Sequence, residues 1–412
     1  MITMTSSVSP SVFNHFGHSN TDHEAPCLQA LQFGKSWFPQ QAGSGLDRYY
    51  YELTRHLKSA HVEVHGLVAG SALQDDASQY TVEAFAPDTA PLLSRLWAIR
   101  QAVCRLLARR QFNVVVSHFA LYTLPILDLV RDLPLVVHFH GPWAHEGQVE
   151  GDGRLWKWIK FHLERLVYRR GIRFIVLSKA FRTILHTDYG VPNDRIDVIP
   201  GGVDLDRFDL SINQQEARQR LGWPQEVPIL LSVRRLAERM GLDHLIDAFA
   251  QVLQRLPEAK LYLAGHGPLA DRLATQVKNA GLQNSIRFLG FVPDADLPYA
   301  YAGATLSVVP TRTLEGFGLI TVESLASGTP VMVTPIGGLP EVVSDLSPAL
   351  VFPDGSPSTM ADRLVNALTG RIVLPSSADC KAYARRRHDW HVIAQKVRQS
   401  YDVAIQNFSS YN

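Results

Sequence analysis

One segment indicates the fold most clearly: it begins at Thr305-Leu306-Ser307-Val308-Val309-Pro310 and continues through Glu315-Gly316-Phe317-Gly318-Leu319 to Ala326. Its first part is a short apolar run of strand length, and the apolar spacing after Leu319 predicts a helix that ends at Gly328. The first turn of such a helix offers unpaired backbone N–H groups and the positive end of a dipole, and glycines allow close approach. The order strand, glycine turn, helix therefore predicts a phosphate-binding turn in an α/β domain.

Two carboxylates, Glu315 and Glu323, flank this turn. A diphosphate repels bare carboxylates, so we expect both to accept hydrogen bonds from neutral hydroxyl groups, such as those of a hexose and a ribose. A phosphate turn between two such carboxylates predicts a nucleotide-sugar site. The alternative is a pair of surface glutamates beside an ordinary turn.

The same residues resemble the motif of the retaining glycosyltransferase family 4, in which two glutamates bracket a Gly-Phe-Gly turn. Ser327-Gly328-Thr329-Pro330 and Gly337-Gly338-Leu339-Pro340-Glu341 also fit that family. The resemblance implies that Glu315 lies near the transferred sugar and that Glu323 binds the ribose. It implies that the sugar and the distal phosphate contact the backbone amides of Gly316, Phe317, Gly318 and Leu319.

Composition sets bounds on the function. A chain of 412 residues with 46% hydrophobic content can form two or three domains, and a net charge of +1 argues against nucleic-acid binding. Cys27, Cys104 and Cys380 are far apart, so neither a zinc site nor a disulfide framework is indicated. Residues 1–20 contain no apolar run of signal-peptide length, and no later run reaches the length of a membrane span. We therefore expect a cytoplasmic protein.

Strands and helices alternate along the chain after a predicted disordered lead-in at residues 1–26, which indicates parallel sheets covered on both faces. The predicted strands of the first series are Leu28–Phe33, Glu63–Val68, Asn113–Ser117, Leu133–His140 and Arg173–Ser178, and its helices include Asp47–Lys58, Arg95–Arg109 and Trp156–Arg169. The predicted strands of the second series are Ile229–Val233, Lys260–Ala264, Ile286–Leu289, Thr305–Val309 and Val331–Val333. The Pro- and Gly-containing segment Val198–Asp204 is predicted to link the two series.

The predicted fold class is thus α/β, with two Rossmann-like doubly wound domains facing each other across a cleft, which the family resemblance identifies as the GT-B architecture. We assign residues 27–200 to an acceptor domain and residues 201–388 to a donor-nucleotide domain. The resemblance implies that the last helix, around His391–Gln406 within residues 389–412, crosses back to the first domain. Ligands of such sheets bind at the carboxyl ends of the strands, which places the predicted active site in the cleft.

In the first domain, the turn before the helix at Asp47 lacks both the third glycine of a dinucleotide fingerprint and the lysine of a Walker loop. The resemblance aligns Ser44-Gly45 with a Gly-Gly pair and implies that Gly45 contacts the donor phosphates; a plain tight turn is the alternative. It also implies that His140, at a strand end before a glycine, lies close to the transferred sugar. His138 faces the same side with an open role. His118, at the carboxyl end of another strand, is a further candidate for the site, with a structural or an acceptor-lining role as the alternative.

In the second domain, Arg235 follows a strand at the point where the family has an arginine that neutralises the leaving diphosphate. The family normally has lysine where this chain has Met240, and a thioether cannot hold an anion. We favour compensation by Arg239, while added charge from Arg234 and a weakened site remain open. The resemblance also implies that the Gly265-His266-Gly267-Pro268 turn and the backbone around Val292 contact the nucleotide.

Two basic, aromatic helical segments, Arg95–Arg110 and Arg154–Arg170, carry tryptophans beside lysines and arginines. Such segments either cover a sheet with a solvated charged face or lie on an anionic membrane surface. The sequence therefore leaves open a peripheral contact with the inner face of a membrane.

We expect a retaining hexosyltransferase that moves a sugar from a nucleoside diphosphate donor, preferentially UDP-linked, to an unidentified acceptor hydroxyl on a glycan, a glycolipid or a small metabolite. The predicted catalytic residues are Glu315, His140 and Arg235, and the resemblance implies that no metal and no further cofactor is required. Two alternatives are a nucleotide-sugar epimerase of the same fold and a sugar-nucleotide-binding protein without turnover, which only Met240 favours.

Overall fold

The computed structural model describes residues 27–38, 45–71, 81–143 and 153–411. The predicted lead-in at residues 1–26 and the part of the predicted donor turn that precedes Gly45 lie outside the described residues. The structure described here consists of two parallel sheets with helices on both faces.

The first sheet has seven parallel strands in the order β3-β2-β1-β4-β5-β6-β7. These strands are β1 (Leu28–Phe33), β2 (Val62–Ala69), β3 (Thr81–Ala86), β4 (Val114–Ser117), β5 (Leu135–Phe139), β6 (Arg173–Val176) and β7 (Ile196–Val198). The second sheet has five parallel strands in the order β10-β9-β8-β11-β12. These strands are β8 (Ile229–Val233), β9 (Lys260–Ala264), β10 (Ile286–Gly290), β11 (Leu306–Val309) and β12 (Val331–Val333).

Two edge strands of the first sheet, β3 and β7, were missing from the sequence-based prediction. Their sequences give weak strand signals, because only one of the six residues of β3 is fully buried and β7 is only three residues long. The predicted linker was wrong at its start, since Val198 belongs to β7 and the Pro-Gly-Gly segment follows it. The strand predicted to end at His140 is also shorter and ends at Phe139.

Helices connect the strands and cover both faces of each sheet. In chain order they are Gly45–Leu57, Leu92–Leu107, Ala120–Thr123, Arg154–Arg170, Lys179–Tyr189, Leu205–Phe208, Gln214–Leu221, Leu242–Leu253, Ala270–Asn279, Leu297–Gly303, Leu319–Ala326, Leu339–Val343, Pro357–Leu368, Ser377–His388 and Trp390–Tyr411. By the hydropathy and charge of the described helices, none of them could span a membrane.

The first sheet has a separate apolar core on each face. One core packs the helices Leu92–Leu107, Arg154–Arg170 and Lys179–Tyr189 against the sheet. The other core packs the helix Gly45–Leu57 and the last helix, Trp390–Tyr411, against the opposite face. The last helix thus belongs to the first sheet in space although it follows the second domain in the chain.

The second domain has one extended core around its five strands. The carboxyl ends of both sheets point toward each other and enclose a cleft, which is lined by residues of both domains. The predicted α/β architecture of two facing Rossmann-like domains is confirmed.

Candidate active site

The cleft between the two domains has a volume of about 980 Å³. Every residue that the sequence analysis assigned to the site lies on its wall. These residues are Gly45, His140, Arg235, Arg239, Gly265, Val292, Glu315, Gly316, Phe317, Gly318, Leu319 and Glu323. The structure brings together residues from the segments that follow six strands, and the chemical roles assigned to them remain predictions.

The glycine turn stands between β11 and the helix Leu319–Ala326. Gly318 has a φ of +81°, which favours glycine, and no side chain caps the helix that follows it. A Cβ at Gly316 would lie 2.6 Å from the ring of Phe181, which belongs to the first domain. The first helical turn therefore presents backbone N–H groups to the cleft in the geometry that binds anions, and the glycines let the first domain approach it.

Glu315 is held by an ion pair within the second domain. Its Oε2 accepts a hydrogen bond from Nη2 of Arg234 at 2.6 Å, and the same guanidinium nitrogen donates to the Thr311 hydroxyl. The Arg234 side chain is buried, and its Nε atom has no hydrogen-bond partner in the described structure. Arg234 is thus the charged partner of Glu315, and a buried charge pair of this kind fixes the position of the carboxylate.

Glu323 is buried and contacts both domains. One carboxylate oxygen lies 3.3 Å from Nε of Arg48, which is on the first helix of the chain, and the other accepts a hydrogen bond from the Tyr301 hydroxyl at 3.2 Å. Burial raises the pKa of Glu323, while Arg48 and Tyr301 oppose that shift. Arg48 also pairs with Asp294 at 3.3 Å, so it links two carboxylates of the second domain.

The cations of the second-domain wall differ in their surroundings. Arg235 is exposed, whereas Arg239 is half-buried and donates from Nη1 to the carbonyl oxygen of Leu314 at 2.9 Å. Leu314 has a φ of +53°, a conformation that is unfavourable for leucine and that the contact with Arg239 supports. Met240 is buried beneath this segment and lines the cleft. The structure therefore places Arg239 one residue before the missing lysine and beside the turn that carries Glu315.

Three histidines meet on the first-domain wall. His118 Nδ1 lies 3.2 Å from His140 Nε2, and the two nitrogens of His138 contact the hydroxyl groups of Tyr49 at 3.4 Å and Tyr401 at 3.1 Å. Burial lowers the pKa of His140 to about 3, and the pKa values of His118 and His138 also lie well below the usual value. The imidazoles are consequently neutral, and His140 can exchange hydrogen bonds with a ligand without adding charge.

These histidines are also the residues of the described chain that could share a metal ion, because their ligand atoms lie within 4.8 Å of one another. Their rings are stacked, with 4.2 Å between the centroids of His118 and His138. Metal-bound imidazoles direct their nitrogens toward one point, and here both nitrogens of His138 already have tyrosine partners. The geometry suits a hydrogen-bonded stack better than a coordination site.

Three further residues that are predicted to contact the donor, Gly45, Gly265 and Val292, also line the cleft. Gly265 has a φ of +130°, and a Cβ there would lie 2.0 Å from the carbonyl oxygen of Arg234, so the backbone requires glycine. At Gly45 a Cβ would meet no atom within 4 Å, so packing within the described protein does not explain that glycine. Next to Val292, the exposed ring of Phe291 stacks at 6.4 Å on His266, which forms a flat aromatic surface at the cleft.

The sequence analysis assigned no role to Arg48, Asp294 or Tyr301. Arg48 was visible as a cation in the turn-to-helix segment, but its partners lie more than 240 residues away along the chain. A second missed contact is Glu341, whose carboxylate accepts hydrogen bonds from the backbone N–H groups of Lys179 at 2.8 Å and Ala180 at 2.9 Å. This carboxylate caps a first-domain helix from the second domain and stabilises the helix dipole.

Comparison with known proteins agrees with this architecture. The family model described as Glycosyltransferase Family 4 matches residues 43–207, and the model described as Glycosyl transferases group 1 matches residues 213–387. The two models cover both domains, and the chain belongs to the glycosyltransferase family 4 type.

Among curated relatives, a mannosylfructose-phosphate synthase of Agrobacterium fabrum is 38% identical over 44% of this chain and 41% of that protein. A phosphatidyl-myo-inositol mannosyltransferase of Mycobacterium tuberculosis is 32% identical over 50% of this chain and 53% of that protein. An uncharacterised glycosyltransferase of Methanocaldococcus jannaschii is 29% identical over 59% of this chain and 63% of that protein. The chain thus spans between about two fifths and just under two thirds of the length of these relatives.

Among solved structures, the sucrose-phosphate synthase of Thermosynechococcus elongatus superposes with a TM-score of 0.79 at 20% identity, covering 93% of this chain and 100% of that chain. The Anabaena protein HepE in complex with UDP superposes with a TM-score of 0.73 at 20% identity, covering 91% of this chain and 100% of that chain. These likenesses establish the GT-B fold.

Proposed function

We propose that this protein transfers a hexosyl group from a nucleoside diphosphate sugar to an acceptor hydroxyl, with retention of the anomeric configuration. The observation that carries the proposal is the uncapped glycine turn at Gly316–Gly318, flanked by Glu315 and Glu323 and facing His140 across the cleft. It combines an anion-binding helix end with hydrogen-bond acceptors for sugar hydroxyls in one enclosed space.

The donor occupies the second-domain wall in this proposal. The diphosphate lies at the amino end of the helix Leu319–Ala326 beside Arg235 and Arg239, and the ribose contacts Glu323. The base lies near Val292, where the stacked rings of His266 and Phe291 offer an aromatic surface. UDP is the first donor nucleotide to test, because a protein of the same fold has been solved with UDP.

We infer the route of the transfer step from the charge states of Glu315 and His140. The acceptor oxygen attacks the anomeric carbon as the bond from that carbon to the phosphate oxygen breaks, and the acceptor proton passes to a donor phosphate oxygen. Glu315 is paired with Arg234 at 2.6 Å, which makes its carboxylate a weak nucleophile and favours this direct route over a covalent intermediate. His140 is neutral, so it orients sugar hydroxyls and adds no positive charge beside the developing oxocarbenium ion.

Product analysis tests this proposal. The purified protein is screened by thermal shift against UDP-glucose, UDP-galactose, UDP-N-acetylglucosamine and GDP-mannose, and the stabilising donor is then incubated with candidate acceptors. Formation of a glycoside with the donor's anomeric configuration, read by proton NMR, is the expected result. A changed sugar without any acceptor would identify an epimerase, and donor binding without turnover would identify a binding protein.

Two variants separate the roles of the flanking carboxylates. We expect Glu323→Ala to weaken donor binding and Glu315→Ala mainly to lower kcat, each by more than about tenfold, because hydrogen bonds to a charged group contribute about 1.5–3 kcal/mol. Calorimetry gives the donor Kd and steady-state kinetics give kcat. Unchanged donor affinity and unchanged turnover in both variants would contradict the assignment of this site.

A further inference from the structure

Large apolar side chains are exposed in the first two turns of two first-domain helices. Their exposed fractions range from 43% to 80%, and they are Leu92, Leu93, Trp97, Leu155, Trp156 and Trp158. We call this set the tryptophan surface. The other large apolar side chains that the described chain exposes are scattered, namely Leu166, Phe291, Val373 and Val392. Three exposed tryptophans on one domain indicate an interaction surface.

The topology places the whole tryptophan surface at one edge of the first sheet. The helices Leu92–Leu107 and Arg154–Arg170 pack into the same apolar core on the same face. Each helix ends shortly before the next strand begins, at the amino edge of the parallel sheet, so each helix begins at the carboxyl edge. The exposed tryptophans of both helices therefore lie at the carboxyl edge, which is also the edge that faces the cleft.

Cations accompany these apolar side chains. The helix Arg154–Arg170 carries six basic residues and one acidic residue, the buried Glu164. Arg154 and Lys157 lie in the turns that carry the tryptophans, Lys160 lines the cleft, and Arg165, Arg169 and Arg170 follow toward the amino edge of the sheet. The helix Leu92–Leu107 carries three arginines and no acidic residue, and one of them, Arg100, pairs with Asp128. Within these two helices nine basic residues stand against one acidic residue, in a chain whose net charge is only +1.

We propose that the tryptophan surface docks onto an anionic lipid bilayer. Tryptophan and leucine side chains enter the interfacial region of a bilayer, and neighbouring arginines and lysines are attracted to acidic headgroups. A second copy of this chain is a poorer occupant, because a symmetric interface would bring two cationic surfaces together. The docking proposal stands on these helices alone and does not require the proposed function.

Docking in this way orients the cleft. The helix that carries Trp156 and Trp158 turns Lys160 and Glu164 inward to line the cleft wall. A bilayer bound to its outer face would lie beside the cleft entrance. If the proposed function holds, the acceptor hydroxyl then belongs to an amphiphile held in that bilayer.

Vesicle binding tests the docking proposal without any need for turnover. The full chain is sedimented with phosphatidylcholine vesicles that contain either no or about one third phosphatidylglycerol. We expect binding to the anionic vesicles only, with affinity falling as salt rises. We expect the double variant Trp156→Ser/Trp158→Ser to bind at least about tenfold more weakly, and Arg154→Gln/Arg165→Gln to lose most of the preference for anionic lipid.

Matched controls lie on the second domain. Val373→Ser removes an even more exposed apolar side chain, and Arg371→Gln/Arg386→Gln removes two exposed cations; both variants are expected to bind vesicles as the unchanged protein does. Unchanged melting temperatures would show that the tryptophan variants are folded. The proposal is overturned if no vesicles bind, or if the tryptophan variants bind like the controls. It is also overturned if the unchanged protein dimerises through this surface in ultracentrifugation without binding vesicles.

Discussion

At the residue scale, the buried ion pair between Arg234 and Glu315 gives the first prediction. The Arg234 guanidinium contacts Glu315 at 2.6 Å in a buried environment and thereby positions the carboxylate that the proposed mechanism places beside the sugar. We expect Arg234→Met to lower kcat by about 10²-fold with a smaller effect on donor Kd, because it leaves the carboxylate without its charged partner. Arg234→Lys should recover part of the activity.

The control for this prediction is Arg255→Met, which removes a surface arginine that pairs with Asp362 far from the cleft. Steady-state kinetics and calorimetric donor titration are the measurements. Equal activities of Arg234→Met and Arg255→Met would show that Glu315 needs no charged partner.

Arg239 provides a second prediction at the residue scale. If Arg239 supplies the cation that Met240 cannot, Arg239→Ala should lower activity by about 10²-fold, because the leaving diphosphate gains negative charge in an enclosed cleft. Adding Met240→Lys in that background should restore part of the activity, whereas lost support of Leu314 would not be repaired by a lysine at 240. Arg235→Ala should be at least as severe.

The measurement is kcat/KM for the single variants and for the Arg239→Ala/Met240→Lys pair. A silent Arg239→Ala beside a severe Arg235→Ala would mean that Arg235 and the backbone amides hold the diphosphate unaided. Two silent variants in a protein that still binds donor would favour the binding protein without turnover.

At the scale of elements, the helix Gly45–Leu57 connects the two domains through a row of charges. Arg48, Glu52 and Arg55 follow one another at helical spacing on one face. Charged side chains of the second domain pair with this row: Glu323 with Arg48, Asp204 with Arg55, and Arg207 with Glu52. Arg207 also pairs with Asp294. This one helix thus links the predicted donor turn, the carboxylate predicted to bind ribose and the interface between the domains.

Glu52 makes this row sensitive to pH. Burial raises its pKa from 4.5 to about 7, aided by Asp204 and Glu323 and opposed by Arg48 and Arg55. The folded protein therefore binds the Glu52 proton more tightly than the unfolded chain does. The contribution of this proton to the free energy of unfolding is fully present below the unfolded-state pKa of 4.5 and is lost as pH rises through about 7. Between about pH 5 and about pH 8 we expect the Tm of the unchanged protein to fall, and we expect a smaller fall in Glu52→Gln, whose side chain stays neutral. The difference corresponds to at most about 3 kcal/mol in the free energy of unfolding.

Thermal melts across that pH range test the role of Glu52. The exposed Glu258→Gln serves as the matched control, and it should leave the pH dependence of Tm unchanged. The same slope in Glu52→Gln and in the unchanged protein would mean that Glu52 does not take up a proton on folding.

At the scale of the whole molecule, groups from the walls of the cleft replace a metal ion in the proposed mechanism. Helix-end N–H groups and arginines surround the predicted diphosphate site, while the histidine cluster has its own hydrogen-bond partners. We therefore expect full transferase activity in excess EDTA. Activity lost in EDTA and restored by Mg²⁺ or Mn²⁺, but not by Ca²⁺, would contradict this expectation.

The last helix, Trp390–Tyr411, also connects distant parts of the molecule. Trp390 and Tyr401 are buried against the first sheet, and the Tyr401 hydroxyl lies 3.1 Å from Nε2 of His138, one of the three first-domain histidines that line the cleft. This contact connects the end of the described chain to the first-domain wall, across 263 residues of sequence. No local pattern in the sequence could have indicated that pairing.

The sequence by itself determined the fold class and the place of the glycine turn. Buried parallel strands read as short apolar runs such as Val114–Val116, and a strand, a glycine turn and a helix are encoded by neighbouring residues. Those signals are local, so they can be recognised in the sequence without the tertiary structure. The edge strand β3, with one fully buried residue, and the short strand β7 lack such signals, which is why both were missed.

Only the tertiary structure decided which charges meet. The pairing of Arg234 with Glu315, of Arg48 with Glu323, and of Glu341 with a first-domain helix end joins residues that are 81 or more positions apart. Charges along a sequence carry no information about their partners, because the folding of the second domain brings Arg234 to Glu315, and the approach of the two domains brings Arg48 to Glu323 and Glu341 to the first-domain helix. Burial in the folded chain likewise lowers the pKa of His140, and burial together with Asp204 and Glu323 of the second domain raises the pKa of Glu52.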